Sequence, residues 1–102
     1  MTKAEPTTQE HEALVRLLRV ARSDTGQSRK VSNFLLAWWN AEACGGFDLV
    51  DVWGVDEAIA QDMLTIFGLI VRIQSYPDTL GYAELFEDVV RKWRPDKPSA
   101  ES

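Results

Sequence analysis

The 102-residue chain contains one cysteine, one histidine, few basic residues and no long apolar run. Each shortage removes a class of function. Cys44 alone cannot close an intramolecular disulfide, so the fold must rest on packing, and the chain suits a reducing cytoplasm. Cys44 has no histidine near it in sequence, which argues against a thiol nucleophile and for a small buried residue. His11 alone cannot supply the usual ligand set of zinc. Its neighbours Glu10 and Glu12 do not converge with it on one helix face, so it reads as an exposed side chain. The longest apolar stretch, near Ile66–Val71, is far below the roughly 20 residues a membrane helix needs. The first residues are polar and do not read as a secretory signal.

Eleven Lys and Arg face sixteen Asp and Glu, for a formal net charge of −5. That balance disfavours a general nucleic-acid surface. The charge is uneven. Between Asn40 and Asp88 ten acids stand against one base, Arg72, while the rest of the chain is net basic. Either the surface is polarised or the charges pair across the fold.

What the chain does have is apolar residues, at 45%, and four tryptophans. This is an ordinary globular composition for one domain. Each tryptophan can bury roughly 150–250 Å². We expect one helical domain over residues 7–94, with disordered ends at 1–6 and 95–102. Thr7 and Glu10 form a capping-box pattern ahead of a first helix, about Thr8 to Ser23, with Leu14, Leu17, Leu18 and Ala21 inward. Ser23-Asp24-Thr25-Gly26 breaks it. A second helix should start near Gln27 or Ser28 and run to about Ala43, with Val31, Phe34, Leu35 and Trp38 tracking one face. Trp39 lies about 100° away, so the two adjacent rings should not share a target. Cys44-Gly45-Gly46 stops that helix.

The aromatic segment Phe47 to Gly54 reads as an extended connector or a short helix capped by Asp48. Asp56 is a suitable N-cap for a third helix, about Glu57 to Gln74 or Ser75. That helix is apolar nearly all round, which predicts a central, buried position. Gly68 in its middle costs about 1 kcal/mol relative to alanine, and a neighbour packing close would explain it. Tyr76-Pro77-Asp78 should end the helix. A fourth runs from about Gly81 or Tyr82 to Trp93, ended by Pro95. Its stripe is Tyr82, Leu85, Phe86, Val89 and Trp93. The expected fold class is therefore all-α, a compact bundle of four main helices with a short aromatic connector between the second and third.

Motifs with chemical meaning are few. Asp24-Thr25-Gly26 matches the tripeptide of aspartic proteases, but there it follows a buried strand and needs a second copy. Here it follows an arginine-rich helix and reads as a turn. The acids from Asp48 to Asp62 lack the alternating pattern and closing glutamate of a calcium loop. Gly45-Gly46 lacks the lysine of a phosphate loop. We therefore expect no enzyme, no metal and no cofactor.

Two interaction readings remain. The first is a protein-binding surface built from Trp39, Phe47 and Trp53 as aromatic anchors, with Asp48, Asp51, Asp56 and Asp62 as an acidic frame. Its partner would be a protein, and a homodimer through the tryptophan-rich surface is a further option. The second is a small DNA-binding regulator using the first helix, the turn and Arg29, Lys30 and Asn33 at the start of the second helix.

The run Asp24-Thr25-Gly26-Gln27-Ser28-Arg29-Lys30-Val31, then Phe34-Leu35-Leu36-Ala37-Trp38-Trp39-Asn40-Ala41, resembles an uncharacterised family of small proteobacterial proteins. Gly45-Gly46-Phe47-Asp48-Leu49, Tyr76-Pro77-Asp78 and Trp93-Arg94-Pro95 fit the same resemblance, which spans about Ala21 to Pro95. It carries no activity and no functional residue. It implies an accessory role on a mobile element, such as inhibiting a host defence system in the manner of anti-CRISPR proteins, or modulating transfer or regulation.

Overall fold

The structure, a computed structural model, describes residues 5–96. The expected disordered ends fall largely on residues 1–4 and 97–102, outside the described residues. In chain order the elements are α1 (Thr8–Ala21), α2 (Gly26–Cys44), a 3₁₀ helix (Leu49–Gly54), α3 (Glu57–Ile73) and α4 (Ala83–Trp93). Among the described residues there is no strand, and no helix is long and apolar enough to cross a membrane. The all-α fold of four main helices is the one predicted.

Local chemistry sets most boundaries. Thr7 Oγ1 accepts from Glu10 N at 3.1 Å while Thr7 N donates to Glu10 Oε1 at 2.9 Å, the reciprocal box that starts α1. The Asp24-Thr25-Gly26 turn starts α2 by the same device. Thr25 Oγ1 accepts from Ser28 N and Ser28 Oγ accepts from Thr25 N, at 3.0 and 3.1 Å. Near its end α2 is interrupted at Asn40, whose backbone is extended, and Gly45 closes it at φ +96°, a geometry glycine tolerates. Asp48 caps the 3₁₀ helix by accepting from Val50 N at 3.2 Å, which settles the connector as a short helix. The ends of α3 fall about where expected, but the local chemistry differs. Asp56 occupies the N-cap position of α3 without a side-chain cap bond, because its carboxylate faces Gln27 Nε2 instead. And α3 ends at Ile73, ahead of Pro77, when Gln74 turns left-handed at φ 60° and bonds back to Ile70 O.

The central helix is α1, not α3. Helix α1 packs against α2, α3 and α4, whereas the main packing partner of α3 is α1. Ala13, Leu14, Leu17, Leu18 and Ala21 are fully buried, each leucine contributing roughly 1.5–3 kcal/mol. From α3 only Met63, Ile66 and Leu69 are buried, while Leu64, Phe67 and Val71 face solvent. Gly68 is also exposed, and a Cβ there would meet nothing within 4 Å. The close neighbour its sequence suggests is not found among the described residues.

The two adjacent tryptophans do share a target. Trp39 stacks on Phe86 of α4 (5.5 Å, 16°) and Trp38 meets the same ring edge-on (5.7 Å, 87°). Their 100° offset lets two large rings straddle a third. Trp38 also donates from Nε1 to Ser75 O at 3.0 Å, fastening the α3–α4 loop to α2.

Candidate interaction surface

The 3₁₀ helix carries the most exposed aromatic side chain of the fold, and its geometry sorts its residues. Residues three apart eclipse each other in a 3₁₀ helix. Val50 therefore aligns with Trp53 on an apolar edge, and Asp48 with Asp51 on an acidic one. A third edge pairs Leu49 with Val52. Trp53 is 83% exposed, Leu49 77% and Val50 48%, while Val52 is half-buried against the core. The segment is tied to α2 by Phe47 before it and by the Asp56 N to Gln27 Oε1 bond after it. Asp51 N donates to Asp48 O at 2.9 Å. Gly54 lies so near Lys30 that a side chain there would collide with the Lys30 ammonium. Phe47, half-buried, packs edge-on against Phe34 of α2 at 5.3 Å. The exposed tryptophan thus rides on a braced turn.

The other expected anchors and carboxylates are placed differently. Trp39 is 5% exposed, a core ring rather than a surface anchor. Trp93 is half-buried and donates from Nε1 to Ala21 O at 2.7 Å. Of the four tryptophans, Trp53 alone is strongly exposed, Trp38 and Trp93 are half-buried, and Trp39 is buried. Asp48 is exposed and Asp51 half-buried, both beside Trp53 in the same turn. Asp56 is exposed but tied to Gln27, whose Oε1 also accepts from Asp56 N. Asp62 lies away from this frame, in a bidentate pair with Arg16 at 2.9 Å on both arms, and that pairing raises the Arg16 pKa above its ordinary value. The structure therefore brings Asp48, Asp51 and Trp53 together and leaves Asp62 and Trp39 out.

The basic alternative is reshaped as well. Arg29 is exposed. Lys30 is half-buried against Gly54. Asn33 is half-buried, its Oδ1 accepting from Arg94 Nη2 at 2.7 Å, so it is not free to read a base edge. Arg94 also donates to Cys44 O, and Cys44 itself is buried. Asp24 pairs with Lys92 at the surface.

Two features escaped the sequence reading. One is a polar cluster at the start of α1. Glu10 is buried and accepts from both terminal nitrogens of Arg72, Nη1 and Nη2, and Nη2 also donates to Glu5 O. The Arg72 hydrogen bonds are the main reason the Glu10 pKa lies below its ordinary value, against the opposing effect of burial. Beside it His11 Nδ1 lies 2.8 Å from Tyr82 Oη and the two rings stack. Burial, then the Glu10 charge, raises the Tyr82 pKa. Among the described residues no buried side-chain nitrogen or oxygen lacks a partner, and the cluster joins α1 to α3 and to Tyr82 at the start of α4. The Thr7–Glu10 cap was legible, but the Arg72 partner, 62 residues away, had no local signal. The other feature is the outward face of α3. Among the described residues no group of three or more potential ligands could hold a metal ion.

A model of a protein family of unknown function, DUF7673, matches residues 11–94. No curated protein and no solved structure matches the chain significantly.

Proposed function

The chain belongs to the DUF7673 family, whose function is unknown, and from that premise we propose that it is a non-enzymatic protein-interaction module docking through the 3₁₀ helix. One observation carries the reading. Trp53 stands 83% exposed on a braced turn beside Val50 and Leu49. A tryptophan held in water forgoes the stabilisation of burial, and on a rigid support little entropy is lost when a partner covers it. Such a ring is the usual centre of an interface hot spot. Asp48 and Asp51 flank it and would meet a basic rim on the partner, guiding encounter more than adding affinity. In this reading the partner handles nucleic acid, and the carboxylate edge competes for its basic groove. An accessory protein of a mobile element that blocks a host defence would work in this way.

The test is affinity capture from the host lysate followed by titration of the purified partner. Trp53→Ala should weaken binding at least 30-fold, which is about 2 kcal/mol. Asp48→Asn with Asp51→Asn should slow association mainly at low salt. A Trp53→Ala variant that binds as tightly as the wild type would overturn the reading. Co-purified nucleic acid released by Arg29→Ala would transfer the assignment to the DNA-binding alternative.

A further inference from the structure

We propose that the outward face of α3 is a two-fold homodimer interface in which Phe67 of each protomer packs over Gly68 of the other. Three observations converge on it. First, α3 has two apolar faces. Met63, Ile66 and Leu69 turn inward, and Leu64, Phe67 and Val71 turn outward, 66%, 55% and 58% exposed. These positions repeat at helical spacing along one side, so they form a stripe and not scattered exposures. Second, no charged residue lies between Met63 and Val71. Burying this face strands no charge, which a docking surface for a charged partner would not require. Third, Gly68 sits within the stripe and has nothing within 4 Å of where its Cβ would be. The described residues thus give no packing reason for the helical cost of glycine here, and a ring arriving from outside supplies one.

A second copy fits better than an unrelated partner because the stripe is self-complementary. Two α3 helices crossing antiparallel, with the axis between Phe67 and Gly68, place Phe67 opposite Gly68 and Leu64 opposite Val71. Gln61 then faces Gln74. The Phe67 ring meets the open space at Gly68, Leu64 meets another aliphatic side chain, and the contact is isologous, as a two-fold axis demands. The three apolar side chains expose on the order of 400 Å² per protomer, the size of the largest apolar patch on a typical monomer. With their flanks, two copies would bury on the order of 1,000 Å², the lower end of a specific interface, so a weak dimer is the one to look for. This surface is separate from the Trp53 turn, so either proposal can fail alone.

Sedimentation equilibrium of the full chain across about 1–200 μM tests it. The wild type should approach twice the 11.5 kDa monomer mass. Phe67→Glu should weaken association at least 100-fold while its far-ultraviolet circular dichroism stays native. The register has its own test. Leu64→Cys with Val71→Cys in one chain should form a covalent dimer on mild oxidation, and each single change should not. A wild type that stays monomeric throughout, or a dimer insensitive to Phe67→Glu, overturns the proposal. So does cross-linking through the single-cysteine variants, because that requires parallel helices.

Discussion

Trp39 and Trp53 have the same side chain and opposite environments, and substitution should separate them. Trp39 is stacked on Phe86 in the core, so Trp39→Ala should cost about 3–5 kcal/mol by urea unfolding. Trp53 stands in solvent, and Trp53→Ala should stay within about 0.5 kcal/mol of wild type. Equal losses would mean that the 3₁₀ helix packs more tightly than the structure shows. The sequence put both tryptophans among the candidate anchors, and the reason lies in two serines. The buried face of α2 runs through Ser28, Val31, Ser32, Leu35 and Trp39. Ser28 is inside because it completes a capping box, and Ser32 because its hydroxyl donates to Ala21 O at 3.2 Å. A stripe traced by apolar residues alone passes over both and drifts to Trp38. Trp53 was legible because nothing in its own turn could cover it.

At the scale of elements, caps and periodicity were readable, and the order of packing was not. Thr7, Asp48 and Gly45 mark their boundaries through bonds within a few residues, so local sequence contains the whole cause. The place of α3 depends on which of its apolar faces meets α1, and an all-round apolar helix does not encode that. Its outer face was mistaken for core, because a helix that is apolar nearly all round does not say which of its faces is covered. Gly68 offers a direct check. With open space around it, Gly68→Ala should raise the stability of dilute, monomeric protein by about 0.5–1 kcal/mol in thermal or urea melts. A loss would mean that a close neighbour does exist within the fold. The C-terminal end of α1 gives a second check. Ala21 O accepts from both Ser32 Oγ and Trp93 Nε1, so one carbonyl of α1 is held by side chains of α2 and α4. Either donor alone still satisfies it. Ser32→Ala combined with Trp93→Phe should therefore cost about 1–3 kcal/mol more than the two single changes added together. Additive losses in a double-mutant cycle would show that the shared carbonyl does not couple the three helices.

Across the whole molecule, the uneven charge seen in sequence resolves in part into pairs that cross it. Arg16 of α1 meets Asp62 of α3, Glu10 of α1 meets Arg72, and Asp24 meets Lys92 of α4. Two of these pin α3 against α1 at both ends, which fixes how the outer stripe and the Trp53 turn are presented. Arg16–Asp62 is half in water and should contribute little. Glu10–Arg72 differs because Glu10 is buried and its carboxylate also holds the Thr7 cap. Glu10→Gln isolates the charge, since an amide oxygen can still accept from Thr7 N. It should cost about 1–2 kcal/mol at neutral pH, the scale of hydrogen bonds to a charged group. The pH dependence has a definite sign. The folded-state pKa of Glu10 is lowered, so its contribution is fully present above the ordinary value of about 4.3. It is lost as pH falls through the lower folded value. The stability difference between wild type and Glu10→Gln should thus be constant from about pH 8 to 5 and close below about pH 4. A gap that persists unchanged to pH 3 would assign the loss to the shape of the amide. One that closes on schedule would assign it to the charge that clamps α3 to α1.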